Sequence, residues 1–167
     1  TNTIYFNSVS ATAQVIYDKP WIKKTGTDPD VNRQIKYTLT LSGVSEEPLR
    51  IQDTFDRSLL EVIPVYPNSD PNYIWDNLMV FGGNQYSQDS GRTPITYTDT
   101  SDGVVLTANS LPKDSNGQYY PYYRIVYYLK LKEGVDLQQL AIANGGDYDL
   151  TNTAVWNGHE SSFTYKT

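Results

Sequence analysis

Three polar residues fall among apolar neighbours when this sequence is read as extended strands: Lys19, Asp53 and Asn152. Side chains alternate between the faces of a strand, so Leu150, Asn152, Ala154 and Trp156 share one face, and Thr151, Thr153 and Val155 the other. By the same alternation Asp53 shares a face with Leu49 and Ile51, and Lys19 one with Val15, Tyr17 and Trp21. Leaving the amide of Asn152 buried without partners would cost about 1–3 kcal/mol, so it must be hydrogen-bonded or take part in chemistry. Burial pushes the pKa of a lysine down and that of an aspartate up, which allows a neutral amine to face a protonated carboxylic acid. The amine can then attack the side-chain carbonyl of Asn152, while the acid polarises that carbonyl and shuttles protons as ammonia leaves. The product is an amide bond between two side chains. Tyr17, Trp21 and Trp156, on the same inward faces, would keep water out. Periodicity alone equally allows an ordinary buried ion pair with Asn152 as its hydrogen-bond partner, or a lysine that snorkels to the surface.

Other chemistries have little to build on. The lone histidine, His159, stands in Asn157-Gly158-His159-Glu160, which reads as an exposed turn that would not orient a catalytic base. With no cysteine there are no disulfides, thiolate metal sites or thiol nucleophiles. Asp28, Asp30 and Asn32 have the spacing that opens a calcium loop, but the glycine and closing glutamate that should follow are missing, so no metal is expected. No phosphate-cradling glycine loop occurs and no cofactor is expected. Neither does any local pair of carboxylates suggest glycoside hydrolysis.

The elements that must position these residues read as strands. Aromatic residues make up 13% of the 167-residue chain, and 15 of them are tyrosines, which pack well on pleated surfaces. The first strand is expected over about 11–19 and ends at Pro20, after a lead-in or short edge strand in 1–10. The clearest covers 33–41, with Ile35, Tyr37, Leu39 and Leu41 inward. A short strand at 49–53 follows, then one running through Val65. The region 67–94, rich in Pro, Asn, Asp, Ser and Gly, reads as long excursions between short strands. Strands near 95–99 and 104–108 flank the turn Thr100-Ser101-Asp102-Gly103. A long strand at 119–131 turns Ile125, Tyr127, Leu129 and Leu131 to one side. The sole helix is expected at 135–144, capped by Asp136, striped with Leu137, Leu140 and Ala141, and stopped by Gly145. Strands at 149–156 and around Phe163–Tyr165 close the chain. The expected fold is all-β: one antiparallel Ig-like β-sandwich over 1–167 with a short helix and a long loop insert.

A net charge of −6 with no basic cluster repels phosphate backbones, which argues against a nucleic-acid partner. No apolar run approaches the roughly 20 residues of a membrane span, and no signal-like segment opens the chain. A monomeric, excised mature domain is expected, with any secretion or anchoring signal outside it.

Lys19-Pro20-Trp21, the segments 35–41 and 51–55, and the closing 150–155 together resemble the CnaA-type isopeptide-forming Ig-like domains of Gram-positive surface adhesins and pilins. In that family a lysine on the first strand, an acid on a middle strand and an asparagine on the last occur in this order. The resemblance implies that Lys19 is the nucleophile, Asp53 the catalytic acid and Asn152 the acceptor. Lys23, of the same parity and nearer the following strand, is an alternative nucleophile, and Lys24 a third choice. A cell-wall-anchored, extracellular structural or adhesive domain follows, not an enzyme beyond its own crosslink. Its partners would be adjacent domains of the same protein and a host matrix protein or glycan. The other reading is a carbohydrate- or other ligand-binding β-sandwich, suggested by the tyrosine excess and by Trp75 in the insert.

Overall fold

The computed structural model describes residues 19–63, 78–85 and 89–167. In chain order the strands of its first half are β1 (Trp21–Gly26), β2 (Gln34–Ser42), β3 (Leu49–Thr54), β4 (Leu60–Val62), β5 (Met79–Gly83) and β6 (Gly91–Pro94). They are followed by β7 (Thr96–Thr100), β8 (Gly103–Ala108), β9 (Tyr122–Leu131), the helix α1 (Leu137–Ala143), β10 (Asp149–Trp156) and β11 (His159–Lys166). One sheet runs β1-β2-β9-β5-β6, with β4 also paired to β9, and the other runs β11-β10-β3-β8-β7. The strand pairings in both are antiparallel. The chain is therefore an all-β sandwich with one short helix among the described residues.

Alternation explains which faces meet. Ile35, Tyr37, Leu39 and Leu41 of β2 are all fully buried, as the pattern of that strand demands. They pack with Ile125, Tyr127 and Leu129 of β9 and, from the opposite sheet, with Leu49 and Ile51 of β3 and Leu150 and Ala154 of β10 in one core. Inner faces of two sheets thus interdigitate, and this burial is the main force holding them together. Strand β6 passes through the buried Ile95 directly into β7 in the other sheet, closing one side of the sandwich. On the other side the edge strands β1 and β11 lie together, and the Lys24 backbone N–H donates to Ser161 Oγ at 2.8 Å.

The helix is shorter than the 135–144 stretch but ends where its caps dictate. The Asp136 carboxylate accepts from the N–H groups of Gln138 and Gln139, and Gly145, at φ 89°, terminates it. Leu137 and Ala141 are buried. Asp136→Ala should lower stability by about 1 kcal/mol with no change of fold, read as a reduced urea midpoint at unchanged slope.

Several elements differ from expectation. The strand placed at 11–19 lies in residues 11–18 outside the described part, and Lys19 and Pro20 are not in a strand; β1 begins at Trp21. The strand carried through Val65 ends at Val62, with 64 and 65 outside the described residues. His159 is not in a turn: Asn157 and Gly158 supply the positive φ values of the turn, and His159 opens β11, half-buried against Trp156 with ring centroids 5.9 Å apart. Asp30 serves its own loop, its Oδ1 accepting from the N–H groups of Asn32 and Gln34.

Candidate functional site

Strand β1 alternates in the sense opposite to that expected. Ile22 and Lys24 face inward, whereas Trp21 and Lys23 are exposed, and Lys19 is exposed ahead of the strand. The sequence WIKK has apolar residues at two adjacent positions and lysines at the next two, so period two alone does not select a face. Neither Lys19 nor Lys23, then, joins the buried set. Trp21 does not shield it either, and its ring leans on Tyr122, 6.1 Å away on the outer face. Tyr17 and Val15 lie outside the described residues.

Asp53 and Asn152 are where alternation puts them, and both are fully buried. Ala154 of β10 is paired with Asp53 of β3, so Asn152, two residues from Ala154, is the diagonal neighbour of Asp53 on the same inner face. From the opposite sheet, Lys24 reaches across the core. Its Nζ lies 2.9 Å from Asp53 Oδ1. It also contacts the hydroxyl of Tyr127, which in turn donates to the same Asp53 oxygen at 2.7 Å. The amine lies 4.6 Å from the ring centre of Tyr37 and 4.7 Å from that of Tyr127. Register makes those rings direct neighbours, and they stack with centroids 5.6 Å apart. Phe163, paired with Asn152 across β10 and β11, meets Tyr37 edge-on, and Gly26 leaves the space its ring fills: a Cβ there would run into the ring.

Burial dominates the electrostatics. Desolvation pushes the Lys24 ammonium below its ordinary pKa, and only the adjacent Asp53 opposes that shift. Both phenols are pushed well above theirs, chiefly by burial, and so remain hydrogen-bond donors. Asn152 is close enough to the two hydroxyls to moderate those shifts, but it completes a hydrogen bond of good geometry with neither. Among the described residues, the buried side-chain atoms without a partner are Asp53 Oδ2, both polar atoms of Asn152 and the Tyr37 hydroxyl.

The site thus holds a lysine, a carboxyl and a carboxamide against two tyrosines, all five buried among the described residues. The sequence patterns marked Tyr37 and Tyr127 as core residues but gave no sign that their hydroxyls meet the lysine and aspartate. Register shows that they must be neighbours; only the packing of the two sheets shows what lies opposite. Among the described residues, no group of three or more His, Cys, Asp or Glu side chains is placed to hold a metal ion, and no helix is long and apolar enough to cross a membrane.

No family model matches this chain, and no curated protein sequence matches it. Among solved structures, the pilus backbone RrgB of Streptococcus pneumoniae is similar over 83% of this chain and 52% of its own, with 12% identity and a TM-score of 0.37. The chain spans about half the length of that structure.

Proposed function

We propose that Lys24 and Asn152 are joined by an intramolecular amide bond formed with the help of Asp53, and that the chain is a structural or adhesive domain of a bacterial surface protein. The observation that carries this reading is the unmet hydrogen-bonding capacity of Asp53 Oδ2 and of both polar atoms of Asn152. A plain ion pair with a hydrogen-bonded amide would leave none of these atoms idle, and each one left so costs about 1–3 kcal/mol. Crosslinking resolves all three. Nδ2 leaves as ammonia, and Oδ1 becomes the oxygen of the new amide, available to a proton on Asp53 Oδ2.

The step balances within the buried set. One proton crosses from the Lys24 ammonium to Asp53, turning the ion pair into an amine and an acid. Nζ attacks Cγ of Asn152, the acid polarises the carbonyl, and the Cγ–Nδ2 bond breaks as protons return to the departing nitrogen. An ammonium side chain, a carboxylate and a carboxamide yield a secondary amide, a carboxylic acid and ammonia. Because the lysine, acid and amide are buried, the reaction is self-directed and occurs once per molecule.

Such a bond would tie β1 of one sheet to β10 of the other. In the chain-entropy picture, closing the segment from 24 to 152 contributes roughly 5 kcal/mol, a role disulfides cannot fill in a chain without cysteine. The CnaA-type resemblance extends this to a cell-wall-anchored, extracellular stalk or adhesin. Neighbouring domains would be its partners, with a host matrix protein or glycan as ligand. The carbohydrate-binding alternative rested on the tyrosine excess and on Trp75, and Trp75 lies outside the described residues.

Asp53→Ala tests the chemistry. The variant should keep its full sequence mass, whereas the wild type should be lighter by one ammonia. An Asp53→Ala protein that also falls short of its own sequence mass by one ammonia would rule out Asp53 as the acid.

A further inference from the structure

We propose that Tyr127 is a positioning residue for this crosslink: its hydroxyl directs the proton taken up by Asp53 onto Oδ2, the oxygen that then polarises the Asn152 carbonyl. The inference rests on the reading of Lys24, Asp53 and Asn152 as a reacting set. Asp53 Oδ1 accepts from Lys24 Nζ at 2.9 Å and from the Tyr127 hydroxyl at 2.7 Å, while Oδ2 accepts from nothing among the described residues. A carboxylate oxygen whose lone pairs are engaged by two donors binds a proton less readily than one whose lone pairs are free. In a fully buried site, Oδ2 has no second donor of its own to even out that difference.

The proton released by Lys24 therefore settles on Oδ2. Among the described residues, the buried side-chain acceptors left without a partner are then Asn152 Oδ1 and the Tyr37 hydroxyl, and only the first belongs to the carbonyl that the amine attacks. Tyr127 is held for this task. Its ring stacks on Tyr37, the two residues are paired in register, and the hydroxyl closes a triangle with Lys24 and Asp53. Burial keeps the phenol protonated, so it acts as a donor throughout. No bond to Tyr127 forms or breaks, and it ends the reaction with the proton it began with.

Tyr37 provides the internal control. It is the other half of the same stack, and its hydroxyl lacks a hydrogen-bond partner among the described residues. The full chain would be made by cell-free synthesis with a short labelling pulse, and the crosslinked fraction followed by intact mass. Tyr127→Phe should crosslink about tenfold more slowly, the scale of one hydrogen bond to a charged group, whereas Tyr37→Phe should stay within about twofold of wild type. A ring-fluorinated tyrosine placed at position 127 is a stronger donor of nearly the same shape, and it should react at least as fast as the natural residue. Packing alone would not produce that dependence on donor strength. Circular dichroism would confirm that each variant folds; should Tyr127→Phe fail to fold, the fluorinated chain decides by the same criterion. Wild-type kinetics in Tyr127→Phe, equal slowing in Tyr37→Phe, or a fluorinated chain slower than wild type would each overturn the role of Tyr127 while leaving the crosslink standing. A wild-type chain that never loses ammonia would overturn both.

Discussion

Lys24→Ala is expected to leave the protein at its full sequence mass, whereas Lys19→Ala and Lys23→Ala should each lose one ammonia as the wild type does. Only Lys24 of these three is buried against Asp53; the other two are exposed and face away from the core. The loss of stability should be correspondingly large. Removing the bond forfeits roughly 5 kcal/mol of chain-entropy stabilisation, and relative to an uncrosslinked chain that keeps the lysine, its removal also leaves the Asp53 carboxyl buried without its cation, about 3–5 kcal/mol more. Asn152→Ala separates the two effects, because it abolishes the bond while keeping the Lys24–Asp53 pair. It should therefore unfold at a higher urea concentration than Lys24→Ala and a lower one than wild type. Identical midpoints for Asn152→Ala and wild type would mean that no bond had been lost.

Gly103→Ala should be among the most damaging single substitutions, lowering stability by about 3 kcal/mol or more. Gly103 opens β8 opposite Thr54, and an added Cβ would run into the carbonyl oxygen of Asp53 and lie 2.8 Å from its carbonyl carbon. These are backbone atoms of a central strand, so no flexible side chain can swing aside. Relief requires β3 and β8 to separate where β3 presents Asp53. The variant should accordingly show both a lower melting temperature and a slower loss of ammonia. A normal melting temperature would show that the strands tolerate the extra methyl group.

Much of this site was legible because three of its strands alternate without ambiguity. Thr151-Asn152-Thr153-Ala154 and Leu49-Arg50-Ile51-Gln52-Asp53 each offer one consistently apolar face, so the inward polar residue stands out. Strand β2 was readable for the same reason, as were Asp136 and Gly145 at the ends of the helix. The lysine was not. Its strand has one inward aliphatic residue, Ile22, followed by Lys24 and then a glycine whose missing side chain makes room for Phe163. A face with that composition looks polar until its neighbour across the sandwich is known. The tyrosines pose a different difficulty: period two places Tyr37 and Tyr127 inward, but a hydroxyl's partner depends on contacts between sheets, which no strand's own sequence encodes.

The most direct test of the crosslink is a tryptic peptide map of the wild-type protein by tandem mass spectrometry. A bond at Lys24 blocks cleavage after that residue. The map should therefore contain a branched species joining peptide 24–33 to peptide 133–166, lighter by one ammonia than their sum, with fragment ions placing the junction at Lys24 and Asn152. Recovery of 25–33 and 133–166 as separate linear peptides at full mass would contradict the account. So would a branch from a peptide that ends at Lys23 and carries Lys19.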